Sequence, residues 1–95
     1  MKHLLDQTVP IKNPLGNYID AKFDEYGFLH SANSPAVTYP DGSKLYYWHG
    51  WLHRLDGYAC DKPNMKHYYI QGRYIQNELT FKRMARLWKL KFLGF

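Results

Sequence analysis

Gly50-Trp51-Leu52-His53-Arg54-Leu55-Asp56-Gly57-Tyr58-Ala59-Cys60 decides the fold of this chain, because it occurs twice. The earlier copy is Gly27-Phe28-Leu29-His30-Ser31-Ala32-Asn33-Ser34-Pro35-Ala36-Val37. Each copy offers Gly, an aromatic, Leu and His in order. A short polar acceptor follows (Asn33 or Asp56), then a small residue (Ser34 or Gly57), then Ala two places on. The copies also close alike: Lys44-Leu45-Tyr46-Tyr47-Trp48-His49-Gly50 matches Lys66-His67-Tyr68-Tyr69-Ile70-Gln71-Gly72. A truncated third unit opens at Gly72-Arg73-Tyr74-Ile75, and Phe23 to Gly27 reads as the tail of a degraded earlier one. Self-similarity at a fixed short period marks a repeat built from one supersecondary unit.

Each unit reads as strands joined by tight turns. Tyr26-Gly27, His49-Gly50 and Gln71-Gly72 lie between aromatic-rich runs, and Gly accepts the positive φ that two-residue hairpin turns demand. Pro40-Asp41-Gly42-Ser43 separates Ala36–Tyr39 from Lys44–Trp48, and Asp61-Lys62-Pro63-Asn64 does the same in the second unit. Val, Thr, Tyr and Trp fill the runs between, as strands prefer. The pattern predicts five or six short strands in an antiparallel meander over residues 18–76.

A lone meander cannot keep both faces wet, and the C-terminal segment supplies a cover. Asn77 or Thr80 can cap a helix over residues 77–92. Phe81, Met84, Ala85, Trp88 and Phe92 then share one face, and Lys82, Arg83, Arg86 and Lys89 fall on the opposite arc. The fold class expected is α+β: one domain, an antiparallel β-meander of hairpin repeats with a C-terminal amphipathic helix packed on the sheet.

Length and composition agree. Ninety-five residues make one domain, 45% hydrophobic and 22% charged, which suits a folded globule. A chain this short builds a thin core, which excludes Rossmann and barrel enzymes. Single Cys60 forms no internal disulfide, and Asp6 interrupts the apolar start, so the expectation is a cytoplasmic protein with no signal peptide and no membrane span. The charge is uneven. Lys82, Arg83, Arg86, Lys89 and Lys91 stand in a stretch from residue 79 onward that holds no acid, and the whole net +5 belongs to it. An anionic partner would meet that stretch first.

Candidate chemistry is sparse. His30 and His53 recur at equivalent places, and with Asn33 and Asp56 three residues on each can brace its own turn. Arg54 and Asp56 offer a local ion pair. His49-x-x-x-His53 is the nearest approach to a metal-ligand spacing, but the two flank a turn and should point apart, so no metal site and no cofactor are expected. Cys60 reads as a small buried hydrophobe. Gly42-Ser43-Lys44 lacks the rest of a phosphate loop, and no serine or carboxylate pair stands in a catalytic motif. The sequence predicts no enzyme. Aromatics make up 18% of the chain, more than a thin core needs. Tyr46, Trp48, Trp51, Tyr68 and Tyr74 are therefore candidates for an open binding face, since Tyr and Trp dominate interface hot spots and can also stack on bases.

The units resemble a repeat of small bacteriophage and bacterial proteins, approximately Trp-x-x-Asn-Gly-x-x-His-Arg-x-Asp-Gly-Pro-Ala, similar in style to the membrane-occupation-and-recognition-nexus (MORN) hairpin repeat. The match is best at His53-Arg54-Leu55-Asp56-Gly57-Tyr58-Ala59, with Tyr58 in place of Pro. The earlier unit keeps that Pro as Pro35 but has Ser31, Asn33 and Ser34 for Arg, Asp and Gly. Gly72 to Arg86 looks similar to the family's closing strand and helix, with Lys82 and Arg83 where acids are usual. The resemblance spans residues 23–85. It implies a phage-encoded protein that binds and inhibits a host protein in the host cytoplasm. The alternative partner is RNA or single-stranded nucleic acid, met by the same residues. An edge strand or the Leu93-Gly94-Phe95 tail could also join a homodimer.

Overall fold

At Tyr46 the chain changes partners. Its N–H donates to the Ala59 carbonyl at 2.7 Å, and its own carbonyl accepts from the His53 N–H at 2.9 Å. Lys22 does the same in the first unit, donating to Ala36 and accepting from His30. Each unit therefore forks: one arm stays in a main sheet and the other peels away into a turn hairpin. This fork is the repeating element of the computed structural model, which describes residues 8–12 and 18–92. The expectations for residues 1–6 and for the Leu93-Gly94-Phe95 tail lie outside the described residues.

The elements in chain order are β1 (Thr8–Lys12), β2 (Tyr18–Lys22), β3 (Val37–Thr38), β4 (Lys44–Leu45), β5 (Tyr47–Trp48), β6 (Trp51–Leu52), β7 (Cys60–Lys62), β8 (Met65–Ile70), β9 (Arg73–Ile75) and α1 (Glu78–Phe92). Among the described residues, seven strands form one antiparallel sheet in the order β1-β2-β3-β4-β7-β8-β9, and β5-β6 form a separate hairpin. The expected meander and helix are both present. The sheet begins earlier than residue 18, because β1 pairs along all of β2 from Thr8↔Lys22 to Lys12↔Tyr18. Nine strands are described where five or six are expected; β1 adds one, and the fork at Tyr46 adds another by splitting one expected strand, Lys44–Trp48, into β4 and β5.

The turns follow the local chemistry. His49 and Gly50 both have positive φ (46° and 88°), as do Gln71 and Gly72 (52° and 77°). Two successive left-handed residues make the hairpin turn whose twist matches the strands. At Tyr26-Gly27 the expectation fails. Only Gly27 is left-handed, and a four-residue turn forms instead, with the Gly27 N–H donating to the Asp24 carbonyl. The cause is Asp24, whose Oδ1 accepts from the N–H groups of Tyr26 and Phe28 at 2.9 Å each. That Asx-type bonding favours a wider loop. The second unit's loop is shorter than expected. Pro63-Asn64 alone connects β7 to β8, with Lys62 paired to Met65.

The core has two parts. Under the helix, Ile70, Ile75, Phe81 and Ala85 are buried, with Leu55, Tyr68, Met84 and Trp88 packed around them. Phe81 stacks on Tyr68 with ring centroids 4.1 Å apart, and Tyr68 stacks on Tyr58 at 4.6 Å. Asn77 starts the helix: its Oδ1 accepts from the Thr80 N–H at 3.0 Å. The helix packs chiefly on β8 and β9, and it also reaches the loop before β7, where Leu55 joins the buried cluster and Trp88 meets the edge of the His53 ring at 5.2 Å. It roofs the β8–β9 end of the sheet rather than a whole side. The first unit is instead centred on small and polar groups: Ala21, Ala36, Val37, Asp24, His30, Ser31 and Ser43 are all buried. Ala36 and Ala59, the repeat alanines, are 1% and 0% exposed, and Cys60 is buried beside Ala59 as expected.

Candidate functional site

The repeat histidines are clamps, though they do not hold the turn that the sequence suggests. His30 Nδ1 accepts the backbone N–H of His49 at 3.0 Å, and His53 Nδ1 accepts that of Gln71 at 2.9 Å. Each histidine therefore holds the first residue of the next unit's turn. Asn33 is exposed and has no part in it. The adjacent backbone completes the clamp: the Gly50 N–H donates to the Leu29 carbonyl and the Gly72 N–H to the Leu52 carbonyl, at 2.7 and 2.8 Å. The repeat aromatics close it from outside. Phe28 lies against Gly50 and Trp51 against Gly72, close enough that a Cβ on Gly72 would fall 2.3 Å from the Trp51 ring. Spacing alone could not show this, since the clamp joins residues 18 or 19 apart across two units.

The motif Arg-x-Asp-Gly is also structural. The Arg54 guanidinium sits 3.9 Å from the centre of the Tyr46 ring and donates to the Tyr58 carbonyl at 3.1 Å. Gly57 leaves it room, because a Cβ there would meet the guanidinium at 3.2 Å. The expected Arg54–Asp56 pair does not form; Asp56 accepts from Lys89 of the helix at 2.9 Å. In the first unit the cation changes strand. Lys22 Nζ donates to Ser34 Oγ at 2.9 Å, and Ser31 and Ser34 hydroxyls share a hydrogen bond. Ser31, Ser34 and Lys22 thus do for one unit what Arg54 and Gly57 do for the other.

A polar cluster joins the first two turns. Asp24 is 1% exposed, and its Oδ2 accepts from His49 Nδ1 at 2.7 Å. Burial alone would raise the Asp24 carboxyl. The His49 hydrogen bond and the N–H groups of Phe28 and Tyr26 outweigh it and hold the carboxyl below its ordinary value. The His49 ring stacks on His30 at 4.0 Å and meets the edge of Trp48 at 5.1 Å. His49 and His53 point to different partners, Asp24 and Gln71. Among the described residues no three metal-ligating side chains gather. An oriented carboxylate–imidazole pair can in principle act as a base. Here the carboxylate is also the centre of a turn and both imidazoles are tied to turns, which accounts for every group in the cluster.

These clamps set the acid response. Burial lowers the His53 pKa below its ordinary 6.5, so the native state resists the protonation that the unfolded chain accepts. Its contribution to stability is complete above about pH 6.5 and falls as pH drops below that value. The depressed Asp24 adds a second loss only as pH falls below its unfolded value of 3.8. Urea midpoints at pH 7.5 and 5.5 should therefore differ in the wild type, and His53→Gln should flatten that difference. An unchanged difference in the variant would show that His53 is not the titrating clamp.

The candidate binding residues fall into two groups. Tyr68 belongs to the core between Tyr58 and Phe81. Its hydroxyl is pushed up to about 12, by burial first, then by its hydrogen bond with Tyr58 and the charge of Glu78. Tyr46 is covered by Arg54. Neither presents an open face. Trp48, Trp51 and Tyr74 are exposed, by 38%, 58% and 49%. The structure adds Tyr26 and Phe28, beside the first turn, as large exposed rings. On the helix, Lys89 is tied to Asp56 and Lys82 lies 3.6 Å from Glu78 one turn back. Arg83 and Arg86 are exposed and pair with no acid among the described residues. The outer arc is not purely cationic: Leu79, Leu87 and Leu90 are exposed there too. The leucines escape a reading that sorts the helix into an apolar and a basic face, because they lie among the cations.

No helix among the described residues is long and apolar enough to cross a membrane. Comparison with models of protein families, with curated proteins and with solved structures finds no match to this chain.

Proposed function

We propose that this chain is a binding protein and not an enzyme, phage-encoded, and that it acts in the host cytoplasm by covering part of a host protein and so modulating or inhibiting it. The observation that carries this reading is the division of labour among the side chains. The recurrent histidines, Arg54 and Asp24 are all engaged in holding turns and strands. Among the described residues, the groups facing outward include Tyr26, Phe28, Trp48, Trp51 and Tyr74 on the sheet and turns, and leucines with Arg83 and Arg86 on the helix. Exposed aromatics and arginines are the side chains that carry interface energy.

The second reading, RNA or single-stranded nucleic acid, draws on the same exposed rings and on the exposed Arg83 and Arg86. Capture from bacterial lysate on the immobilised chain, with and without nuclease, separates the two. Retention of a protein after nuclease treatment, weakening only modestly between low and high salt, is the expected result. Capture that disappears with nuclease and falls log-linearly with salt would replace the first reading by the second.

A further inference from the structure

We propose that the outer face of α1 is a docking site for an acidic amphipathic helix of a partner protein. The proposal rests on the protein-binding reading above and names the partner's chemistry. Leu79, Arg83, Arg86 and Leu90 lie within about 60° of one another on a helical wheel, on the side opposite Phe81 and Trp88. Leu79 and Leu87 are 59% and 64% exposed, and neither contributes to the buried cluster. A shallow apolar groove lined by Leu87, Trp88, Leu90 and Lys91 runs from these leucines round the flank of the helix near its C-terminus.

The mixture on this face selects its occupant. A phosphate backbone would satisfy Arg83 and Arg86 but offers no apolar seat for three leucines. A membrane surface would accept the leucines, but an interfacial helix keeps its cations beside the apolar arc. Here Arg83 stands within that arc, between Leu90 and Leu87, and would be driven toward the acyl region. A second copy of the chain meets a charge conflict. In a two-fold antiparallel pairing centred on the stripe, Leu79 of one copy faces Leu90 of the other, and Arg83 faces Arg86 twice over. An acidic amphipathic helix meets both requirements. Its apolar residues at i, i+3, i+4 and i+7 fit between the leucines, and flanking carboxylates reach the arginines in forked hydrogen bonds. The charge is complementary at longer range as well, since Arg83 and Arg86 leave the helix positive even with Lys82 beside Glu78 and Lys89 paired to Asp56.

The test uses the full chain and a fluorescent synthetic helix with Leu at i, i+3, i+4 and i+7 and Glu at the flanking positions. Anisotropy should report saturable binding, and amide shifts should move at residues 79–91. Leu79→Gln with Leu87→Gln, two exposed positions, should weaken it at least about tenfold. Arg83→Glu with Arg86→Glu should do the same, and a matching peptide with Lys in place of Glu should restore binding to that variant. Equal binding of the Glu and Lys peptides to the wild type would overturn the proposal. So would binding of anionic phosphatidylglycerol vesicles or of a single-stranded oligonucleotide in preference to the Glu peptide. Dimerisation in sedimentation equilibrium that the leucine pair abolishes would assign the face to a second copy. The wider reading fails separately: nuclease-resistant capture of a host protein that survives the leucine and arginine changes would retain a binding protein and remove this face from it.

Discussion

Phe81→Ala is expected to cost about 3–5 kcal/mol in urea unfolding, the range for removing a buried phenyl ring. A domain of this length has roughly 5–14 kcal/mol in total, so the variant should sit near the edge of folding. The reason is position. Phe81 is 4% exposed and stacks on Tyr68, and it joins α1 to β8 and β9 through Ile70 and Ile75. Without the ring the helix loses its main hold, and the Tyr58–Tyr68 stack loses its neighbour. The near-ultraviolet tyrosine signal should weaken together with the helical signal. Leu87→Ala, on the same helix but on its outer face, is the control and should lie within about 0.5 kcal/mol of wild type. Similar midpoints for Phe81→Ala and Leu87→Ala would mean that the helix does not pack through Phe81.

Gly72→Ala should be the most damaging alanine substitution among the described glycines, at about 2–4 kcal/mol. Two effects combine there. The backbone has φ +77°, which L side chains rarely adopt. The new Cβ would also stand 2.3 Å from Trp51 Cε3, which forces the indole off the turn. Gly42→Ala isolates the first effect, since its φ is +90° and nothing lies within 4 Å of the added carbon. It should cost only about 1–2 kcal/mol. Adding Trp51→Ala to Gly72→Ala should recover the steric share, so the double variant should be less destabilised than the two single losses added together. Strict additivity would show that Trp51 does not cover the turn.

Phe81 was legible in advance and Gly72 only in part. The 3.6-residue stripe places Phe81 and Ala85 inward without any coordinates, because helical geometry is local. The turn at Gln71-Gly72 is equally local, since its glycine and flanking strands are adjacent in sequence. That Trp51 lies on Gly72 is not local: it depends on one hairpin stacking on the next. The same distinction runs through the candidate binding residues. Trp48, Trp51 and Tyr74 proved exposed. Tyr68 and Tyr46 did not, because alternation along a strand says which side a ring takes and nothing about whether a helix or Arg54 covers that side. Asp24 shows the converse. One carboxylate among several in the sequence, it becomes the buried centre of a turn only when His49 arrives from the next unit.

By itself the sequence determined the repeat, the α+β class, the left-handed turns at His49-Gly50 and Gln71-Gly72, a helix beginning between Asn77 and Thr80, and the concentration of net charge on it. All of these rest on periodicity, backbone preference and charge, which neighbouring residues settle between themselves. Only the tertiary structure decided that His30 and His53 clamp the following turn, that the helix roofs the β8–β9 end of the sheet, and that Leu79, Leu87 and Leu90 stay outside among the arginines. Those outcomes depend on which surfaces the stacked hairpins bring together, and a contact between units is made by residues that are distant along the chain.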